Sequence, residues 1–163
     1  MQLGKNDAAR EILVRAKKEM RDIVWGLMND ELMRLTPAEM IRQFAREETK
    51  SGVCRVETRL VGLPERMEPT AMRDLSLIVR EAVGNAVKHG HAKKVAIAVD
   101  PLEEGGWHLR ISNDGVPIDL ENAPGSQAGH FGLEGMKARA RRLGGELSIS
   151  AISGRTVVSL SHS

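Results

Sequence analysis

Glu81, Asn85, Lys88 and His89 recur at intervals of three and four residues within Glu81-Ala-Val-Gly-Asn-Ala-Val-Lys-His89. On a helix, at about 100° per residue, they share one face. That face lies next to an apolar stripe of Leu75, Val79, Ala82 and Ala86. Asn is a mediocre helix former, so Asn85 within such a helix asks for a reason. A carboxylate and a carboxamide one turn apart can present oxygens to a hard cation. A Lys or His one turn further on can meet the phosphates that the cation carries. The same four residues also fit a plain solvated helix face.

Two further stretches could do chemistry. In Ile111-Ser-Asn113-Asp114-Gly115-Val-Pro117 a polar pair closes an alternating apolar run. Its side-chain oxygens could accept a hydrogen bond from an exocyclic amine, although Asn-Asp-Gly is also an ordinary turn. In Gly129-His-Phe-Gly132-Leu133-Glu-Gly135-Met136 glycine recurs every third residue, just before and into an expected helix. Glycine allows close backbone approach to a ligand, and the amides of a helix start favour phosphate. No Gly-Lys-Ser/Thr follows, so this is not a P-loop. It also lacks the βαβ surroundings of a dinucleotide fingerprint.

The elements that must position these residues can be read from periodicity. Ile12, Ala16, Met20, Ile23, Val24 and Leu27 predict a helix over 7–28. Thr36, Pro37 and Glu39 form an N-cap, a first-turn proline and a capping box, so a second helix runs from Pro37 to about Lys50. Cys54, Val56, Thr58 and Leu60 alternate with Arg55, Glu57 and Arg59 as a half-buried strand. A long helix from about Thr70 to His89 is expected to end with Gly90 as its C-cap. Val95–Val99 and Trp107–Ile111 read as an antiparallel strand pair. Residues 113–129 read as a lid or binding loop. A helix over 133–143 and two strands, 147–151 and 155–160, complete the chain. The fold class implied is α+β, a two-layer α/β sandwich with helices on one face of a mixed, mostly antiparallel sheet. The domain organisation expected is a helical segment over 1–50 and a second domain over 51–163.

Composition bounds the function. The 163 residues are 41% hydrophobic and 28% charged, with a net charge of +2, which is an ordinary globular balance. Two Trp, two Phe and no Tyr argue against a base-stacking surface, so nucleic acid is not an expected partner. No apolar run reaches the roughly 20 residues of a membrane span, and no direct membrane contact is expected. Cys54 is the one cysteine and reads as a small buried hydrophobe. The methionines read as core and interface filler, and Arg139–Arg142 as a solvated helix face.

Taken in order, these stretches resemble the Bergerat-fold (GHKL) ATPases: histidine kinases, type II topoisomerases, Hsp90 chaperones and mismatch-repair MutL proteins. The likeness is greatest to sensor histidine kinases paired with NarL-type response regulators. Their N box reads Glu-Ala-x-x-Asn-x-x-x-His, as Glu81 to His89 does. Their glycine box reads Gly-Leu-x-Gly-Met before a basic helix and Leu-Gly-Gly. Here that is Gly132-Leu133-Glu134-Gly135-Met136, then Leu143-Gly144-Gly145. Gly154-Arg155-Thr156 looks like their Gly-x-Thr, and Asp22 to Leu27 like the second helix of their dimerisation hairpin.

The resemblance implies an enzyme that binds ATP with Mg²⁺. The γ-phosphoryl would pass to a His on a dimerisation helix of the same or a partner chain, then to an Asp of a response regulator. It implies a homodimeric parent and a cytoplasmic domain, any membrane anchor lying outside this chain. By residue, Asn85 would ligate Mg²⁺ with Glu81 as its catalytic neighbour, and Lys88 and His89 would lie along the phosphates. Asn113 would face the adenine amine, with Asp114 able to replace it if the turn shifts by one, and Gly115 completing the turn. Gly132, Leu133, Gly135 and Met136 would shape the phosphate cradle, and Thr156 would sit behind the adenine.

Three departures stand out. Asn113 replaces the family's Asp, whose acceptor-only carboxylate Asn cannot fully match, so weaker nucleotide affinity is expected. Pro117 stands where a second Gly is usual. None of the five histidines lies on the N-terminal helix; His130 is expected in the glycine loop and His162 at a frayed end. No phosphoacceptor is therefore expected here, as in a fragment of a longer kinase. The alternatives are a dimerisation module that has lost nucleotide binding, a serine kinase of the anti-sigma-factor type, and an ATP-driven clamp of the topoisomerase or MutL kind.

Overall fold

Alternation at period two gives five strands among the described residues, and each turns a row of largely apolar residues to the same side. The computed structural model describes residues 34–118 and 127–163, and short helical stretches at 12–13, 16–17 and 20. Two compact units divide the chain, Met1–Leu35 and Thr36–Ser163. In the first, Ile12, Leu13, Ala16, Lys17 and Met20 are helical and exposed. The hairpin-like stretch from Asp22 to Leu27 lies outside the described residues.

The second unit runs α1 (Pro37–Lys50), β1 (Arg55–Leu60), α2 (Pro69–Lys88), β2 (Lys94–Pro101), β3 (Trp107–Asn113), α3 (Gln127–Arg142), β4 (Gly145–Ile152) and β5 (Arg155–His162). By its contacts α1 belongs to this unit, which therefore begins ahead of the boundary expected at residue 51. The sheet order is β1-β2-β3-β5-β4. The β1–β2 pair is parallel, joined through α2, and the other pairs are antiparallel. Register aligns rows across the strands: Ile97, Ile111, Val158 and Ile149 with Thr58 at the edge in one, Leu60, Val99, Leu109, Leu160 and Leu147 in the next. The helices cover this face, with Ile41, Leu75, Ile78 and Met136 almost fully buried. The other face is polar; Asp100 bridges Arg59 (2.6 Å) and Arg110 (2.9 Å). This is the sandwich that the sequence implied.

The expected capping box is present: Glu39 N donates to Thr36 Oγ1 (3.1 Å) and Thr36 N to Glu39 Oε2 (2.8 Å). At the other end of α1, the Thr49 hydroxyl accepts from Val56 N (3.0 Å) and donates to Val56 O (3.5 Å). The Arg80 guanidinium lies 4.8 Å over the Phe44 ring and joins α1 to α2. Ser153 (φ 51°) and Gly154 (φ 73°) make the tight β4–β5 turn.

Several expectations need correction. Helix α3 starts at Gln127, not Leu133, so Gly129, Gly132 and His130 lie within a helix rather than in a loop before one. Helix α2 ends at Lys88 with His89 as its C-cap, and the left-handed residue is His91 (φ 51°), not Gly90. His162 is not frayed: it closes β5 and stacks on Trp107, ring centroids 5.1 Å apart. The Arg139–Arg142 cluster is not simply solvated. Arg142 Nε and Nη2 donate to the Asp74 carboxylate at 2.8 and 2.6 Å, a bidentate pair tying α2 to α3. Asp74 is 6% exposed, so it relies on this partner. It sits one turn before Ile78 on the buried stripe of α2, the only hint of it that the sequence carries.

Arg142→Ala should strand that carboxylate and cost about 2–3 kcal/mol. This is less than the roughly 3–5 of a fully buried pair, because the arginine is more than half exposed. Urea denaturation followed by circular dichroism measures it; a loss within error of zero would mean the pair does not hold the helices.

Candidate functional site

The site grows from glycines that let backbones meet. Gly90 is buried just past α2. A Cβ there would lie 2.7 Å from Ala86 O and 3.4 Å from both Asn113 Oδ1 and Val116 O. From the other side, a Cβ on Gly115 would collide with Gly90 O. Val116 N donates to that same Gly90 O at 2.7 Å. The end of the N-box helix and the turn after β3 are therefore locked together main chain to main chain. Gly90 is not a left-handed cap: a Cβ there would press on Ala86 O of its own helix, and it is the bare Cα of Gly115 that lets the turn reach Gly90 O.

Within that turn Asn113 and Asp114 take opposite roles. Asn113 stands opposite Val95 on the inner face and is 7% exposed. Its Oδ1 accepts from Gly115 N at 2.9 Å, which fixes the carboxamide. Asp114 is exposed, and its Oδ1 accepts from Lys93 N and Lys94 N, both at 2.9 Å. These backbone donors, led by Lys94, hold its carboxyl below the usual carboxylate range, with the Arg155 charge adding to the effect. The one-residue shift that would exchange the two is not the turn observed. Thr156, half-buried on β5, accepts through Oγ1 from Ile118 N at 2.8 Å and anchors the chain leaving the turn.

The glycine box meets the N box at Gly132. A Cβ there would collide with Glu81 Oε1 and lie 3.8 Å from Asn85 Nδ2. Glycine here leaves room for the Glu81 carboxylate between α2 and α3, room that a methyl group would take by displacing that side chain. Gly135 similarly makes room for Arg139, whose Nη1 would be 2.9 Å from an added Cβ. Glu81 and Asn85 are half-buried, Lys88 and His89 exposed at the end of α2. Leu133 is half-buried, whereas Met136 is 1% exposed and belongs to the core. Pro117 is exposed. The residues between the turn and α3, 119–126, where the lid was expected, lie outside the described residues.

Among the described residues no three His, Cys, Asp or Glu side chains converge as a metal cage. Mg²⁺ characteristically takes one or two protein oxygens and completes its shell with water and phosphate. Glu81 and Asn85, facing the space that Gly132 leaves, suit that mode.

An N-box helix, a buried polar turn and a glycine-bearing helix on one face of this mixed sheet define a known class. The chain belongs to the histidine kinase-, DNA gyrase B- and HSP90-like ATPase family, whose model matches residues 70–162. Within that class it is 41% identical over 85 residues to the nitrate/nitrite sensor protein NarQ of Escherichia coli, covering 52% of this chain and 14% of NarQ. It is 32% identical over 168 residues to the signal transduction histidine-protein kinase/phosphatase UhpB of Salmonella typhimurium, covering 96% of this chain and 28% of UhpB. The chain thus spans less than a third of either relative. The fold matches that of the Acinetobacter baumannii histidine kinase AdeS, with a TM-score of 0.62 at 19% identity over 94% of this chain and 79% of that one.

Gly132→Ala should separate stability from binding. Alanine improves helix propensity by about 1 kcal/mol, and Glu81, a flexible side chain, can yield. The melting temperature should hold or rise while nucleotide binding falls; unchanged binding would show that the room at Gly132 does not serve the nucleotide. The depressed Asp114 carboxyl contributes stability that is complete above its unfolded pKa of about 3.9 and is lost as pH falls through the lower folded value. Asp114→Asn should therefore flatten the acid limb of the stability–pH curve. An acid limb as steep as that of the parent protein would show that these bonds are not linked to folding.

Proposed function

We propose that this chain is the ATP-binding catalytic domain of a two-component sensor histidine kinase. The observation that carries this reading is the meeting of Glu81 and Asn85 with Gly132, beside a turn that presents Asn113 from the inner face. Asn85 and Glu81 would hold Mg²⁺, which would neutralise charge on the phosphates. Lys88 and His89, exposed at the end of the same helix, would reach along them. The Asn113 carboxamide, oriented by Gly115 N, would accept from the adenine amine through the second lone pair of Oδ1. Met136 supports this cradle from the core. Phosphoryl transfer relies on positioning and charge neutralisation more than on covalent chemistry from the protein. The domain's task is accordingly to hold the γ-phosphoryl toward a histidine on a dimerisation helix, in a homodimeric parent. From there it would pass to an aspartate of a response regulator. No helix among the described residues is long and apolar enough to cross a membrane, and we place the domain in the cytoplasm.

Calorimetric titration with ATP or ADP should give saturable binding that needs Mg²⁺, is lost in Asn85→Ala and weakens in Asn85→Asp. Asn113→Asp should bind more tightly by restoring a carboxylate acceptor. Absence of binding at millimolar nucleotide would sink the assignment, and unchanged affinity in Asn113→Asp would remove Asn113 from the adenine.

A further inference from the structure

A groove of about 450 Å³ runs between α1 and β1, away from the residues assigned to nucleotide. Arg42, Arg46 and Lys50 line its helical wall and Arg55 its strand wall. The four-residue spacing sets the three helical cations about 6 Å apart along one exposed face of α1. With a net charge of only +2 on the whole chain, this is a local concentration of positive charge.

Three nearby acids are already held by other groups, with Glu57 answering Arg55 and Glu39 feeling the Arg42 charge only secondarily, which leaves the three cations of α1 without an ion-pair partner among the described residues. Glu39 is bound to the Thr36 amide (2.8 Å), and Glu47 accepts from Gln43 (3.2 Å). Glu57, the one acid in the groove wall, is shared between Arg55 (3.2 Å) and Lys94 (3.0 Å). The ion pairs among the described residues include none of Arg42, Arg46 and Lys50. Buried Ala45 and Val56 supply apolar atoms beneath them.

We propose that this groove docks an acidic helical segment of a protein partner. Carboxylates four residues apart on a partner helix repeat at the same interval of about 6 Å as the cations of α1. The apolar atoms of Ala45 and Val56 suit the small side chains of such a helix. No aromatic side chain lines the groove, so it offers nothing on which a nucleic-acid base would stack. The assignment rests on α1 and β1 alone and stands independently of the nucleotide reading.

The test uses a fluorescent, alanine-based helical peptide carrying Glu at i, i+4 and i+8, titrated into the whole chain by anisotropy, with amide shifts recorded in parallel. The expected result is salt-sensitive binding, with shifts confined to 42–58. Affinity should fall at least about tenfold in Arg42→Glu/Arg46→Glu and stay nearly unchanged in Arg66→Glu, an exposed cation elsewhere. The variants alter exposed side chains, so their melting temperatures should match the parent's. Absence of peptide binding, or equal losses in the two variants, would overturn the proposal. So would tighter binding of inorganic triphosphate or of phosphatidylglycerol vesicles than of the peptide.

Discussion

The main-chain contact of Gly90 O with the Val116 amide, over the bare Cα of Gly115, is the constraint on which the candidate site depends. It joins an element built on helical periodicity to one built on strand periodicity, with no side chain between them. A methyl group at either glycine would meet a backbone oxygen that cannot move aside. The lock holds the end of the helix that carries Asn85 to the turn that follows Asn113. A second approach, Gly132 against Glu81, brings in α3 by the same device but meets a yielding side chain. The site thus has a stiff joint at the turn and a softer one at the glycine box.

Much of the scaffold was legible because it follows from local rules. Thr36, Pro37 and Glu39 specify the start of α1, and the capping box forms as written. Alternation from Val56 to Leu60 specifies β1, and short connections specify the antiparallel pairs. Even the orientation of the turn was available. Counting by twos from Trp107 through Leu109 and Ile111 reaches Asn113, which the strand must turn inward, so Asp114 must turn out.

What was not legible depends on contacts between elements distant in sequence. Gly90 follows a helix and reads as a cap, and only the arrival of the Val116 amide reveals the use of its carbonyl. The glycines of α3 read as a loop because glycine disfavours helices; their use is to let two helices approach, which propensity cannot express. Asp74 and Arg142 are 68 residues apart, and each alone looks like a surface charge. The ordering of the motifs identified the class, while the approach of Gly132 to Glu81 and of the Gly115 turn to Gly90 is tertiary.

Thr49 has a consequence of a different kind. The first strand of an open sheet exposes unpaired amides and carbonyls, a template on which another chain can extend the sheet. Here one hydroxyl occupies both the donor and the acceptor of Val56, so the end of α1 guards the place where such growth could nucleate. Valine at this position would keep the shape and volume of threonine while unsealing that edge. The damage would surface as self-association at high concentration rather than as a fold that melts early. At Val56 that edge is thus closed by a single oxygen atom, a contribution invisible to any measure of core packing.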